Sequence, residues 1–222
     1  LIKSRYILLI FVIVKLLFSI ILVSLLSGCI EFRFDAKGMN DFLGNHQGEL
    51  FSDTLLINDQ LMHYVYTQQQ KETLLVFVHG SPGSWNAFSR YLTSDSLQDQ
   101  YDMVSIDRPG FGYSDYGYAE SSLKRQANLI SQVIQQFDQK RKILIGHSLG
   151  GPIIARIAMD YPEQVQGMIF IAPSIDPDME KYEWYRTLIK TWVGDLVVPT
   201  DLWVSNEEIV PLKEELNQML PL

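Results

Sequence analysis

Residues 142–152, KILIGHSLGGP, constrain the fold of this chain more than any other stretch. A short apolar run at 143–145 meets the pattern G-x-S-x-G, and a helix-forming stretch follows at once. This pattern between a strand and a helix predicts a sharp turn that holds Ser148 in a strained backbone conformation. Backbone passes so close to the flanking positions that glycine fits best there, and they are Gly146 and Gly150. The stretch therefore predicts a serine hydroxyl that stands free at the carboxyl end of a strand.

Apolar runs and helix-forming stretches alternate from residue 74 to residue 172. The runs are continuous rather than alternating, which is typical of strands buried on both faces of a parallel sheet. We predict strands at 74–78, 101–106, 143–145 and 165–172, and helices at 84–97, at 120–138 and from the glycine motif to residue 160. A hairpin of strands 51–57 and 61–67 across Asn58-Asp59 precedes them. The order predicts an α/β fold with right-handed crossovers and helices on both faces of the sheet.

Three glycine-containing motifs, at 79–83, 107–115 and 146–151, each begin where a predicted strand ends. The carboxyl ends of parallel strands lie along one edge of a sheet, and ligands of such sheets bind at that edge. We therefore expect the three motifs to form one site.

The segments HGSPGS, DRPGFGYSD and GHSLGG, in this order, resemble the α/β-hydrolase superfamily over residues 50–175. The resemblance implies a mostly parallel central sheet with helices on both faces, a helical cap and no cofactor. It also implies that Ser148 is the nucleophile and that the backbone N–H groups of Ser81 and Leu149 form the oxyanion hole. A serine nucleophile indicates the esterase-like and lipase-like branch and argues against the branch with an aspartate nucleophile, which includes epoxide hydrolases. The structural motif residues are His79, Gly80, Gly146 and Gly150.

In this superfamily an acid and then a histidine follow the nucleophile along the chain. Asp176 is the candidate acid, with Asp178 beside it. No histidine follows Ser148, because all four histidines of the chain lie at or before position 147. A serine hydroxyl without an adjacent base is a weak nucleophile. Two expectations stay open: the sequence stops before the last strands of the domain, or the chain is an inert relative of the enzymes.

Residues 176–222 contain three tryptophans and several prolines between helix-forming stretches, and they resemble the helical cap inserted after the sixth strand. This composition favours the first expectation, an incomplete domain. The favoured function is a membrane-tethered serine hydrolase that cleaves a carboxylic ester, or an amide or thioester, of a small acyl substrate. The alternative is a catalytically inert lipoprotein that serves as a binding module.

Residues 6–26 are almost entirely apolar, which suits either a secretory signal or a membrane-spanning helix. The segment 26–29, Leu-Ser-Gly-Cys, resembles the lipobox of bacterial lipoproteins, and this implies cleavage after residue 28 and lipidation of Cys29. Polar residues 29–49 are expected to be a tether. Since Ile30 follows the cysteine, the resemblance implies the periplasmic face of the outer membrane. An uncleaved helix in the inner membrane is the alternative.

Charge and the remaining histidines limit the other functions. A net charge of −8 with no basic stripe argues against nucleic-acid binding, and no spacing of metal ligands is present. We interpret His79 as a brace of the oxyanion loop, and His46 and His63 as surface or strand residues. Asp107 and Arg108 are expected to hold the second motif loop in place.

Overall fold

The computed structural model describes residues 13–15, 19, 31–180, 183–192, 194 and 198–219. Cys29 and most of the predicted signal segment lie outside the described residues. Within them, we find no helix with the length and apolar character needed to cross a membrane.

The predicted hairpin is confirmed as strands β1 (Leu50–Ile57) and β2 (Gln60–Thr67), which pair antiparallel. Its two turn residues, Asn58 and Asp59, have φ angles of 48° and 66°. Both lie in the left-handed region that the tightest hairpin turns require, and asparagine and aspartate tolerate it better than other non-glycine residues. The short turn sets the register of the pair, in which Ser52 lies opposite Val65.

Strands β3 (Thr73–Val78), β4 (Asp102–Ile106), β5 (Arg141–His147) and β6 (Gly167–Ile171) complete a sheet of order β1-β2-β4-β3-β5-β6. The pairs β3–β4, β3–β5 and β5–β6 are parallel, whereas β2 joins β4 antiparallel. The mostly parallel α/β sheet predicted from the sequence is therefore confirmed.

The two faces of β3 belong to two different hydrophobic clusters, because side chains alternate along a strand. Leu74, Val76 and Val78 pack on one face, and helices α4 (Leu123–Ile134) and α5 (Gly150–Asp160) cover it. Leu75 and Phe77 pack on the other face. A helix over 120–138 was expected, and the observed α4 is shorter because Ser122 caps its start by accepting the N–H of Arg125.

The predicted helix over 84–97 is wrong as a single element. The structure has a short 3₁₀ turn (Trp85–Phe88) and two four-residue helices, α2 (Ser89–Leu92) and α3 (Asp95–Gln98). The hydroxyl of Thr93 donates a hydrogen bond to the carbonyl of Ser89, and the backbone of Ser94 is extended. Hydroxyl side chains compete with helical hydrogen bonds in this way and favour a break.

The expected tether also differs from the structure over its described part. Residues Ala36–Asn45 form helix α1, which Asp35 caps by accepting the N–H of Gly38. Met39 of this helix is buried in the second hydrophobic cluster, and Phe42 packs against Trp85. This segment is therefore part of the folded unit rather than a polar connection to it.

The last strand was predicted to be buried, and that prediction is wrong for β6. Its residues Met168, Ile169, Phe170 and Ile171 are 40%, 49%, 40% and 37% exposed. The reason is the position of β6 at the edge of the sheet, where no described strand pairs with its outer side. Helices α6 (Tyr185–Ile189) and α7 (Thr200–Met219) follow it, and Leu212, Leu216 and Met219 of α7 join the core beside α4. The assignment of 176–222 as a cap stays a prediction.

Candidate active site

Ser148 lies in the sharp turn between β5 and α5 with φ of 50°, the strained conformation that the motif predicts. A non-glycine residue in this region costs about 1–3 kcal/mol unless its surroundings hold it there. Its N–H donates to the carbonyl of Ile171 at 3.0 Å, and its own carbonyl accepts from Gly151 at 2.9 Å and Ser174 at 3.1 Å. Both backbone groups of the strained residue are thus held in place.

The glycines around Ser148 are required by close backbone packing. A Cβ atom on Gly146 would lie 2.5 Å from the carbonyl oxygen of Gly150, and one on Gly150 would lie 2.2 Å from that of Val78. A Cβ on Gly80 would lie 2.9 Å from the Cβ of Ser148. The loop that follows β3 therefore lies directly against the serine.

The backbone N–H of Leu149, the next residue after Ser148, and that of Ser81, the next residue after Gly80, have no acceptor among the described residues. Leu149 immediately precedes α5, whose aligned peptide dipoles place partial positive charge at this end of the helix. Free N–H groups at a positive helix end can stabilise an oxyanion that forms next to the serine. These are the two donors that the resemblance implies.

His79 is fully buried and uses both ring nitrogens for structure. Its Nε2 accepts the N–H of Arg108 at 3.0 Å, so Nδ1 carries the proton and donates to the carbonyl of Gly80 at 2.7 Å. Burial, and then the nearby guanidinium of Arg108, lower the pKa of His79 well below its usual 6.5. A neutral imidazole with both nitrogens engaged braces the loop and has no free atom to serve as a base, as the sequence analysis expected.

Asp107 holds the second motif loop, also as expected. Its Oδ1 accepts the N–H of Trp85 at 2.6 Å, and its Oδ2 accepts the N–H of Tyr113 at 2.9 Å. A Cβ atom on Gly112 would come within 2.2 Å of this carboxylate, so the loop closes around it only with glycine at that position. Oδ2 also lies 2.7 Å from Nδ1 of His63.

The neighbouring Arg108 forms a buried ion pair that the sequence analysis did not find. Its Nη1 and Nη2 donate to the two carboxylate oxygens of Glu208 on α7 at 2.7 and 3.0 Å. Glu208 also accepts from Ser81 Oγ and from Gln126. Burial raises the pKa of Glu208 above its usual value, while the guanidinium of Arg108 opposes the rise. The pair joins α7 to the loop that carries the candidate oxyanion donor.

The candidate acid and a histidine are not brought together with Ser148. Asp176 is exposed, and its Oδ1 accepts the N–H of Asp178 in a local turn. His46 is half-buried and its Nδ1 lies 3.4 Å from a carboxylate oxygen of Glu49, whereas His63 is buried in β2. No hydrogen bond joins a histidine to Ser148 among the described residues. His147 is exposed, and its ring lies beside Gly80, where a Cβ atom would be 3.0 Å from Nδ1. Within the described ranges there is no cluster of three metal-ligating side chains.

Sequence reasoning missed both Glu208 and the partners of His63. Glu208 lies 100 residues from Arg108 along the chain. A single glutamate in a helical stretch gives no local indication that it pairs with a distant arginine. His63 was assigned to the surface or to a strand; it is in a strand, but buried against Asp107. The hairpin register could have shown that Ser52 and His63 share a face of the sheet, because His63 lies two residues from the partner of Ser52.

Residues 73–196 match the model of the family described as "alpha/beta hydrolase fold". A probable 1-acylglycerol-3-phosphate O-acyltransferase of Oryza sativa subsp. japonica is 31% identical over 150 residues, which are 64% of this chain and 35% of the relative. A pimeloyl-acyl-carrier protein methyl ester esterase of Proteus mirabilis is 31% identical over 129 residues, 53% of this chain and 47% of the relative. An epoxide hydrolase 4 of Mus musculus is also similar, with 30% identity over 49% of this chain and 30% of the relative.

Among solved structures, an N-acyl homoserine lactonase complexed with N-butanoyl homoserine superposes with a TM-score of 0.57 at 18% identity, over 74% of this chain and 70% of that one. The chain spans between about a third and a half of the length of the curated relatives named above. The family match covers more than half of the chain and agrees with the sheet order and with the turn at Ser148. This protein is a member of the α/β-hydrolase fold family.

Proposed function

We propose that this protein is a serine hydrolase that cleaves a carboxylic ester, or a cyclic ester, through an acyl-enzyme on Ser148. The observation that carries the proposal is the strained turn at Ser148, flanked by the free N–H groups of Ser81 and Leu149. The Oγ atom attacks the acyl carbon, the two N–H groups stabilise the oxyanion, and the alcohol leaves. Water then attacks the acyl-enzyme and releases the acid.

An ester fits this site better than an epoxide, although an epoxide hydrolase is among the similar proteins. Attack of a carboxylate on an epoxide produces an ester, whose carbonyl water can hydrolyse. Attack of Ser148 on an epoxide would produce an ether, which has no carbonyl and would stay on the enzyme. The methyl ester esterase and the homoserine lactonase named above support an ester or lactone substrate.

The proposal requires a base for the proton of Ser148, and we propose a histidine encoded downstream of residue 222, with Asp176 or a later aspartate as the acid. The rival is an inert protein that uses the same site for binding, supported by the absence of a histidine bonded to Ser148 in the described structure. The gene beyond codon 222 discriminates between them. An in-frame aspartate and later histidine support the hydrolase, and a stop codon there supports the rival.

A fluorophosphonate probe tests the role of Ser148 in the full-length gene product. We expect labelling at Ser148 that Ser148→Ala abolishes and that Ser52→Ala leaves unchanged. Hydrolysis of aryl esters, N-acyl lactones and styrene oxide by the same preparation then identifies the substrate class. A folded full-length product that is not labelled at Ser148 would refute the proposal.

We also propose that a lipid on Cys29 anchors the protein in the cell envelope, on the periplasmic face of the outer membrane. The support is the basic and apolar segment before the cysteine and the lipobox-like residues 26–29. Incorporation of labelled palmitate that Cys29→Ser abolishes is the expected result. Inner-membrane fractionation without lipid incorporation would instead support an uncleaved N-terminal helix.

A further inference from the structure

A second serine, away from the turn at Ser148, is joined to a histidine and an aspartate by two hydrogen bonds. Oγ of Ser52 on β1 lies 2.8 Å from Nε2 of His63 on β2, and Nδ1 of His63 lies 2.7 Å from Oδ2 of Asp107. Ser52 and His63 are diagonal neighbours across the hairpin, because Ser52 pairs with Val65. The hairpin register therefore places both side chains on one face of the sheet.

The hydrogen-bond partners of Asp107 determine which atom carries each proton. The Asp107 carboxylate accepts two backbone N–H groups besides the imidazole, so the imidazole donates to it through Nδ1. The lone pair of Nε2 then faces Ser52, whose hydroxyl donates to it. A serine hydroxyl that donates to a histidine held in one tautomer by a carboxylate is the arrangement that activates serine nucleophiles.

The serine lies at the protein surface, while the histidine and the aspartate behind it are buried. Ser52 is exposed, but His63 is only 4% exposed and Asp107 is fully buried. Ser52 and His63 line a shallow pocket of about 250 Å³ that is open to solvent, together with Met39 and Asn40 of α1 and with Tyr113. Since a water molecule occupies about 30 Å³, a short acyl group fits there.

This pocket is separate from the turn at Ser148. Two strands, β4 and β3, lie between β2, which carries His63, and β5, which leads to Ser148. At a strand spacing of about 4.8 Å, β2 and β5 are about 14 Å apart. An activity at Ser52 would therefore be independent of the proposed hydrolase site.

We propose that Ser52, His63 and Asp107 form a second acyl-accepting site, which takes short acyl groups from activated carboxylic esters. The O–H bond of Ser52 breaks and its proton passes to Nε2 of His63 as Oγ bonds to the acyl carbon. The bond between that carbon and the leaving alcohol breaks, and the alcohol takes the proton from Nε2. The products are one alcohol and an acyl ester on Ser52.

The test uses the full chain with Ser148→Ala, so that the proposed hydrolase site contributes nothing, and 4-nitrophenyl acetate as the probe. Peptide mass spectrometry measures the acetylation rate of each serine. Ser96 is the internal control, because it is exposed and its hydroxyl bonds only to the hydroxyl of Ser94 among the described residues, with no base in contact. General-base assistance contributes about 10²–10⁴-fold, so we expect Ser52 to be acetylated at least about 100-fold faster than Ser96.

A His63→Gln variant is expected to reduce the rate at Ser52 to that at Ser96. Two outcomes would overturn the proposal: equal rates at Ser52 and Ser96 in the folded protein, or fast acetylation of Ser52 that persists in folded His63→Gln. If His63→Gln does not fold, the ratio of the two rates in the Ser148→Ala chain decides the question by itself.

Discussion

Replacement of Ser148 by glycine should stabilise the protein relative to replacement by alanine. Ser148 has φ of 50°, and the left-handed conformation costs a residue with a Cβ atom about 1–2 kcal/mol. Ser148→Ala keeps the Cβ and this cost, whereas Ser148→Gly removes both. Glycine also has a more disordered unfolded state, which lowers stability by about 0.5–1 kcal/mol. The difference between the middle values of the two ranges predicts that the glycine variant is the more stable by about 0.75 kcal/mol.

Urea unfolding of the two variants, followed by circular dichroism, measures this difference directly. In thermal unfolding of a chain of this size, a difference of 1 kcal/mol corresponds to a shift in Tm of about 2–4 °C. The same pair of substitutions at Ser131 is the control, because Ser131 lies within helix α4, where glycine should be the less stable by about 1 kcal/mol. A Ser148→Gly variant that is no more stable than Ser148→Ala would refute the argument that this turn is strained.

Three further predictions concern the surroundings of Ser148. Gly150→Ala should lower the free energy of unfolding by about 3 kcal/mol, because its Cβ would lie 2.2 Å from a backbone oxygen of β3. Glu208→Ala should lower it by about 3–5 kcal/mol, because Arg108 would remain as a buried charge without its partner. Acidification from pH 6.5 to 5.5 should lower the free energy of unfolding by about 1 kcal/mol through His79. The imidazole of the unfolded chain gains a proton near pH 6.5, whereas the lowered pKa of His79 keeps the folded imidazole neutral. Urea unfolding measures all three.

Each of these predictions has a matched control. Gly44→Ala in α1 meets nothing within 4 Å and should raise stability slightly. Glu207→Ala removes a partly exposed ion pair with Lys190 and should change stability by less than about 1 kcal/mol. His79→Gln should remove the part of the pH dependence assigned to His79. Equal changes in stability for a variant and its control, or an unchanged pH dependence in His79→Gln, would contradict these predictions.

Local sterics explain which features of the fold could be predicted from the sequence. Continuous apolar runs made the parallel strands recognisable, and Asn58-Asp59 indicated the hairpin turn because few residues tolerate positive φ. The turn at Ser148 was predictable because only glycine avoids the backbone contacts at its two flanking positions. Helix breaks were less predictable: within a stretch of helical pattern, the Thr93 hydroxyl donates to the carbonyl of Ser89 and the backbone of Ser94 is extended.

The position of an element in the assembled sheet was not predictable from its own residues. The apolar composition of β6 suits a buried strand, yet β6 lies at an edge of the described sheet and its side chains are exposed. Residues 31–49 are mostly polar, yet Met39 and Phe42 of α1 pack into the core. Burial depends on which surfaces meet, and that information is distributed over the whole chain.

The sequence alone determined the order of the strands and motifs along the chain and the serine at the turn. Each of these features depends on residues that are neighbours in the chain. Only the tertiary structure decided the partners of the buried charged and polar groups. Arg108 meets Glu208 across 100 positions, and Asp107 meets His63 across 44. A buried charge needs a partner because it has lost its water. Many side chains could supply that partner, and the packing of α7 and of the hairpin selects the one that does.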